Sequence, residues 1–207
     1  MKINYDLVAQ KEMERLKQEG KRPTLALHVC CAPCSSYSLL MLTNTFDVTV
    51  IYTNSNIYPQ DEFNKRAKEA ERFIELFNKE HNQNVNFILA PYEHDAFMEE
   101  LKPYKDEIEG GARCVLCYKK RLIEAFEFAK VHNIEYVTTT LTISPHKNSE
   151  IINKIGETLE KQYYPIRYFY SDFKKRNGNL IAKRFKEKYN LYQQNYCGCE
   201  YSIRDEK

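Results

Sequence analysis

The sequence predicts an α/β protein, a doubly wound, mostly parallel sheet in three layers that ends in a helical and basic C-terminal region. Three observations lead there. Four short strand-like runs alternate with helix-like stretches, and a parallel neighbour needs such a crossover. The first run, Thr24-Leu-Ala-Leu-His-Val29, is apolar and uninterrupted, as expected of a strand buried on both faces. No internal repeat or low-complexity tract breaks the pattern, and 207 residues suit one domain with a sizeable core. The expected division is a helical N-terminal extension, 1–23, followed by a single α/β domain, 24–207.

Residues 5 to 19 are polar, with Leu7, Val8, Met13 and Leu16 close to helical spacing, and predict a short helix outside the main sheet. Gly20 and Pro23 then punctuate the chain. After the first strand, helical character resumes at Ser35 or Ser36 and runs to Leu42. Asp47 to Tyr52 is the second strand, and Thr53 to Pro59 a loop. Gln60 to Lys79 is the clearest helix, since Phe63, Ala67, Ala70, Phe73, Ile74 and Phe77 form one stripe and Glu62 precedes Arg66 by one turn. Val85 to Leu89 reads as a third strand. Glu93 to Glu109, with seven acids against two lysines, reads as a solvated surface helix. Gly110-Gly111 gives a turn before a helix that Arg113 opens and that runs to about His132. Tyr136 to Leu141 is the fourth strand, Ser149 to Lys161 a helix, and the chain beyond Tyr163 is irregular until a last helix, Gly178 to Tyr189.

The formal charge of +2 is too small to imply nucleic-acid binding by itself. No apolar stretch approaches the roughly 20 residues of a membrane span. The N-terminal residues lack the apolar core of a secretory signal. A cytoplasmic protein without a membrane partner is therefore expected, and thiols there stay reduced. Seven cysteines, an odd number in tight clusters, then favour metal or redox chemistry over disulfides.

Three of them, Cys30, Cys31 and Cys34, follow the first strand, where doubly wound sheets place their sites. The others form the pairs Cys114-x-x-Cys117 and Cys197-Gly-Cys199. Thiolates at helix N-termini are stabilised by free N–H groups, which favours Cys34, Cys114 and Cys117. Gly198 suits a tight turn between two ligands. Zinc would take four thiolates, a dithiol enzyme would use one Cys-x-x-Cys such as Cys31 to Cys34, and a [4Fe–4S] cluster would take four and leave up to three. The cysteine count alone does not separate zinc from iron.

Nucleotide binding at this position is disfavoured, because the loop after the first strand has no glycine and Pro33 removes a backbone donor. A local charge signal remains. Between Lys161 and Asn190 nine Lys or Arg stand against two acids, about +7, with eight Tyr or Phe interleaved. Cations for phosphates and rings for unpaired bases are what single-stranded RNA loops require, although a basic surface helix with core aromatics has the same composition. The segment from about 161 to 201 supplies Lys174, Lys175, Arg176, Lys183 and Arg184 as candidate RNA-binding residues. His28 reads as a hydrogen-bonded core histidine. Asn54 and Asn56 would face the cysteine edge of the sheet, although turn formation explains them equally well, and His146 after the fourth strand could face the site. Thr138 to Thr140 suit a strand by propensity alone, and His132 complements a helix dipole. Tyr118, beside Cys117, could donate a proton.

Together, Cys30-Cys-Ala-Pro-Cys34, Arg113-Cys-Val-Leu-Cys-Tyr118 and Tyr196-Cys-Gly-Cys199 resemble the cobalamin-independent epoxyqueuosine reductases of the QueH type, over about Thr24 to Tyr201. The fold class is then the nucleotide-hydrolase or HUP-like form of the three-layer sheet, and 24–207 a metal-binding catalytic domain. The resemblance implies two-electron removal of the epoxide oxygen of epoxyqueuosine, giving queuosine at the tRNA wobble position. It implies a [4Fe–4S] cluster with an additional mononuclear iron. By motif, Cys30, Cys31, Cys114, Cys117, Cys197 and Cys199 match the family's metal-binding cysteines, while Cys34 stands where some relatives carry aspartate. All seven are candidate metal ligands; Cys31, Cys114, Cys117, Cys197 and Cys199 are the cofactor candidates, and Cys30, Cys34 and Tyr118 the catalytic ones. An iron with an open position could act as a Lewis acid on the epoxide. Expected partners are the anticodon stem-loop of tRNA bearing epoxyqueuosine and an external donor such as flavodoxin or ferredoxin, since no flavin or nicotinamide motif is present. The rival readings are a zinc-stabilised RNA-binding module without catalysis and a thiol–disulfide oxidoreductase.

Overall fold

A computed structural model describes residues 3–203 of the chain, so the last four residues of the expected domain lie outside the described residues. The elements are α1 (Tyr5–Gln18), β1 (Thr24–His28), α2 (Ala32–Leu42), β2 (Asp47–Tyr52), α3 (Gln60–His81), β3 (Asn86–Leu89), α4 (His94–Glu99), α5 (Ala112–Val131), β4 (Tyr136–Thr139), α6 (Ser149–Gln162), β5 (Arg167–Tyr168) and α7 (Gly178–Tyr189). The five strands form one parallel sheet in the order β3-β2-β1-β4-β5. Alternate side chains of the sheet supply two separate cores. Leu25, Leu27, Val48 and Val50 pack with α1, α2, α3 and α7, whereas Ala26, Ile51 and Val137 pack with α5 and α6. That is the three-layer α/β fold read from the sequence.

Several details differ from the sequence reading; α2 begins at Ala32, before the expected Ser35 or Ser36, so Cys34 lies within its first turn. A fifth strand, Arg167–Tyr168, extends the sheet beyond β4; two residues carry no periodicity, so backbone pairing alone makes it. The acidic stretch after Glu93 is broken, because Pro103 cannot donate to a continuing helix and the chain tightens into a 3-10 turn over Lys102–Tyr104. Strand β4 ends at Thr139 and passes into a 3-10 turn, Thr140–Ile143. Finally, α1 lies outside the sheet but is firmly docked. Ala9 and Leu16 are in the core, and Glu12 accepts from Tyr136 of β4 at 2.5 Å and pairs with Arg167 of β5 at 2.7 Å.

The strand order fixes where a site can form. The chain builds β1, β2 and β3 outward on one side, then returns to lay β4 against the other side of β1. The crevice beyond the carboxyl ends of β1 and β4 is thus the topological switch point. Cys30 occupies it, and its N–H donates to Thr140 Oγ1 just past β4, at 3.3 Å.

Candidate metal centre and cleft

Strand β1 ends at His28, and two residues later the chain turns into α2 through Cys31, whose extended backbone (φ −170°) forms the N-cap. Pro33 sits in the first turn, where its missing N–H costs nothing. This turn folds three thiols back on one another. Cys30 Sγ lies 3.9 Å from Cys31 Sγ, Cys31 Sγ lies 2.8 Å from Cys34 Sγ, and all three sulfurs fall within 4.8 Å of one another. Cys31 is buried and the other two are half-buried. Hydrogen bonds from Cys31 and then Cys34 pull the Cys30 thiol well below its usual range. The hydrogen bond to Cys30 in turn pushes Cys31 up to about 12, and hydrogen bonds with Cys30 and then Cys31 push Cys34 well above its usual range. Left to protons alone, such a triad holds a single thiolate; a shared cation would let all three ionise. The donor set therefore fits a soft metal.

The later cysteines come close without joining this triad. Cys114 and Cys117 stand in the first turn of α5, and the N–H of Gly110 donates to Cys114 Sγ at 3.2 Å. Burial pushes the Cys117 thiol up to about 12, with further contributions from Cys197, Cys199 and Cys114, so these four share one electrostatic neighbourhood. Among the described residues, however, only Cys30, Cys31 and Cys34 form a group of three or more potential ligand atoms within 4.8 Å. Cys197 is the later cysteine that meets the triad, since it lines a cleft of about 580 Å³ with Cys30 and Cys34.

Two buried arginines, both absent from the sequence reading as site residues, hold the two thiol sets in place. Arg121 is 2% exposed; its Nε–H donates to His28 Nε2 at 3.2 Å and its Nη2 to Asn54 Oδ1. Asn54 passes the constraint on by donating to the Val29 carbonyl at 2.8 Å, next to Cys30. The charges of Cys117, Cys30 and Cys197 all act on Arg121, which places a permanent cation between the two sets. Arg66, also 2% exposed, pairs with Glu62 at 2.6 Å and donates to the Cys197 carbonyl at 3.2 Å. The signal for Arg121 was its place one turn after Cys117, on the same face of α5.

The Cys197 loop is held by a close approach. Gly198 has φ +132°, and a Cβ there would lie 3.1 Å from both Arg66 Nη1 and Ile57. Tyr58 N–H donates to the Gly198 carbonyl at 2.8 Å, and the Tyr196 hydroxyl donates to the Tyr58 carbonyl at 2.5 Å. Glycine between the two cysteines makes the turn that its sequence position suggests.

Of the other sequence candidates, His28 is a fully buried, hydrogen-bonded core histidine, as expected. Thr139 and Thr140 do more than fill a strand, for they hold His28 and Cys30. His146 lines the cleft; Tyr118 is buried behind it, within reach of the charges of Lys147, Cys114 and Cys197. The basic residues divide. Lys183 and Lys186 of α7 line the cleft, and Arg184 is exposed beside them. Gly178 allows this placement: a Cβ there would fall 1.9 Å from the Phe173 carbonyl and 2.8 Å from the Tyr37 ring, so α7 begins hard against α2. Lys175 is exposed, while Arg176 turns away to pair with Asp6 of α1 at 3.3 Å. Lys174 is spent internally, donating to the carbonyls of Thr142 at 2.8 Å and Lys147 at 3.3 Å. A larger hollow, about 1050 Å³, opens at the opposite, amino-terminal edge of the sheet beside Tyr136 and Arg167, and no cysteine lines it.

Fold and site together define an α/β protein with a metal-competent thiol triad at the switch point of its sheet, facing a cleft edged with lysines. The sequence model of the epoxyqueuosine reductase QueH family matches residues 25–205, and the chain belongs to that family. It is 41% identical to the epoxyqueuosine reductase QueH of Streptococcus pyogenes serotype M1, across 98% of this chain and 79% of that one. It is also 41% identical to the protein of the same name from Staphylococcus aureus (97% and 84% covered), and 30% identical to that of Thermotoga maritima (89% and 92%). Neither the zinc-stabilised module nor the thiol–disulfide oxidoreductase finds support among these relatives.

Proposed function

We infer that this chain is an epoxyqueuosine reductase that removes the epoxide oxygen of epoxyqueuosine at the tRNA wobble position and leaves queuosine. The observation that carries the reading is the thiol triad at the switch point, opening on a lysine-edged cleft, in a chain of the QueH family. The reaction consumes two electrons and two protons; both carbon–oxygen bonds of the epoxide break, a carbon–carbon double bond forms, and the oxygen leaves as water.

The seven cysteines form the pool of metal ligands, with Cys30 and Cys34 exposed to the cleft where substrate would enter. Thiolates select soft metals, and seven exceed the four that one [4Fe–4S] cluster takes, which supports an additional mononuclear iron. Bound there, iron of these two kinds would supply single electrons and a Lewis acid. The protein's own residues orient and screen: Arg121 and Arg66 balance thiolate charge, and the Tyr196–Cys199 loop closes one wall. Lys183 and Arg184, with Lys175, are suited to the phosphates of an anticodon stem-loop, whose modified base would be splayed into the cleft. A flavodoxin or ferredoxin suits the electron supply. Among the described residues no helix is long and apolar enough to cross a membrane.

Anaerobic purification followed by iron, sulfide and zinc analysis, then assay on tRNA carrying epoxyqueuosine with a reduced low-potential donor, tests the reading. Iron, sulfide and queuosine are expected. Zinc alone, without visible absorption or product, would overturn it.

A further inference from the structure

The reaction needs a proton for the epoxide oxygen, and several titratable side chains line the cleft, among them His146, Lys147, Lys183 and Lys186. Lys147 lines the cleft with Cys30, Cys34 and Cys197. Its position is fixed from both sides. The turn Ser144 to Lys147 is closed by the Lys147 N–H on the Ser144 carbonyl at 3.2 Å, and Asn148 immediately caps α6 by accepting from Glu150 N–H at 2.9 Å. Lys174, which pairs with Asp172 at 3.2 Å, braces the same turn through the carbonyls of Thr142 and Lys147. A lysine expected to touch RNA phosphate is thus used to hold another lysine at the cleft.

A lysine side chain presents an ammonium with three donors and, unlike a guanidinium, can release a proton. Arg121, which also lines the cleft, is a poor proton donor because guanidinium does not give up its proton near neutrality. Tyr118 is not among the residues that line the cleft.

Resting on the reading of the chain as an epoxyqueuosine reductase, we propose that Lys147 is the catalytic general acid, its ammonium binding the epoxide oxygen and protonating it as the first carbon–oxygen bond opens. The two electrons are supplied by a low-potential one-electron carrier, and a metal bound by the thiols would relay them; the proton comes from Lys147 Nζ and is replaced from solvent. The opened oxygen, an alkoxide in the making, is a far stronger base than an amine, so transfer runs downhill. Protonation also turns the oxygen into a leaving group for the second cleavage, where it departs as water after taking a further proton.

The test compares wild type, Lys147→Met and Lys147→Arg, reconstituted with iron and sulfide anaerobically and reduced with dithionite and methyl viologen. Iron per chain, affinity for tRNA carrying epoxyqueuosine, and the single-turnover rate of queuosine formation are read for each. Iron and affinity are expected within twofold of wild type. The rate should fall by about 100-fold or more in Lys147→Met, the usual range for loss of a general acid. Lys147→Arg, which keeps the cation but holds its proton, should remain at least about 10-fold impaired. A wild-type rate that slows in D₂O, with no such slowing in Lys147→Met, would mark the proton step. Turnover by Lys147→Met within about threefold of wild type sinks the assignment while leaving the reductase reading intact, and so does loss of iron from both variants. A wild type that binds the tRNA and holds iron yet forms no queuosine overturns the reductase reading, and this assignment with it.

Discussion

Arg121 donates its Nε–H to His28 Nε2 across 3.2 Å, and this bond decides the tautomer of the imidazole. A guanidinium cannot accept, so Nε2 must, and the ring proton sits on Nδ1, facing Thr139 Oγ1 at 2.7 Å. Burial and then the Arg121 charge hold His28 down at about 3, in keeping with a neutral ring. The strand end that precedes the thiol triad is thereby tied to α5, 93 residues away.

Arg121→Met would leave two buried acceptors, His28 Nε2 and Asn54 Oδ1, without their donor. A loss of about 3 kcal/mol is expected in urea unfolding. Arg121→Lys should recover less than half of it, because one ammonium cannot reproduce the two-armed contact.

Glu12 ties α1 to the sheet edge and gives the protein an acid-sensitive joint. The hydrogen bond from Arg15, with those of Tyr136 and the charge of Arg167, holds its carboxyl down at about 2 despite partial burial. A carboxyl depressed from an ordinary 4.5 contributes stability above that pH and loses it as pH falls toward 2. Wild type should lose about 1–2 kcal/mol over that window, after allowance for solvent screening. In Glu12→Gln that part of the pH dependence should be absent from thermal or urea melts.

Gly198→Ala places a Cβ at 3.1 Å from Arg66 Nη1 and Ile57 on a backbone with φ +132°. The strain, about 1–3 kcal/mol, falls on the loop rather than on the sheet. Iron content after anaerobic reconstitution should fall by half or more, while far-ultraviolet circular dichroism stays that of wild type.

The two groups of basic residues should separate in binding experiments. Lys183→Gln, Arg184→Gln and Lys186→Gln together should weaken tRNA binding about 10- to 100-fold and lower the slope of log K against log salt by about 2. Lys174→Met should leave affinity and slope unchanged and slow single turnover about 10-fold, since its ammonium is occupied with the Thr142 and Lys147 carbonyls. Equal loss of affinity in both would return Lys174 to the RNA surface.

Patterns carried by neighbours in sequence were legible. The buried strand before Cys30, the stripe of α3 and the address of the cysteines at the end of β1 all follow from periodicity and strand order. The Glu62–Arg66 spacing also announced a pair, though not that Arg66 would be buried and turned toward the Cys197 carbonyl. Strand β5 was missed because two residues paired only through their backbone leave no mark on side-chain pattern. The two carbonyls that Lys174 engages were not legible, because composition reports that a segment is basic, not which ammonium groups find carbonyls.

By itself the sequence determined the class of fold, the clustering of the thiols and the edge of the sheet where the first cluster sits. These depend on local periodicity and on residues adjacent in the chain. The tertiary structure alone decided which cations serve the site: Arg121 and Arg66 below the thiols, Lys147 at the cleft, Lys174 behind it. A buried charge is tolerable only where partners converge on it, and here those partners come from segments up to 131 residues apart.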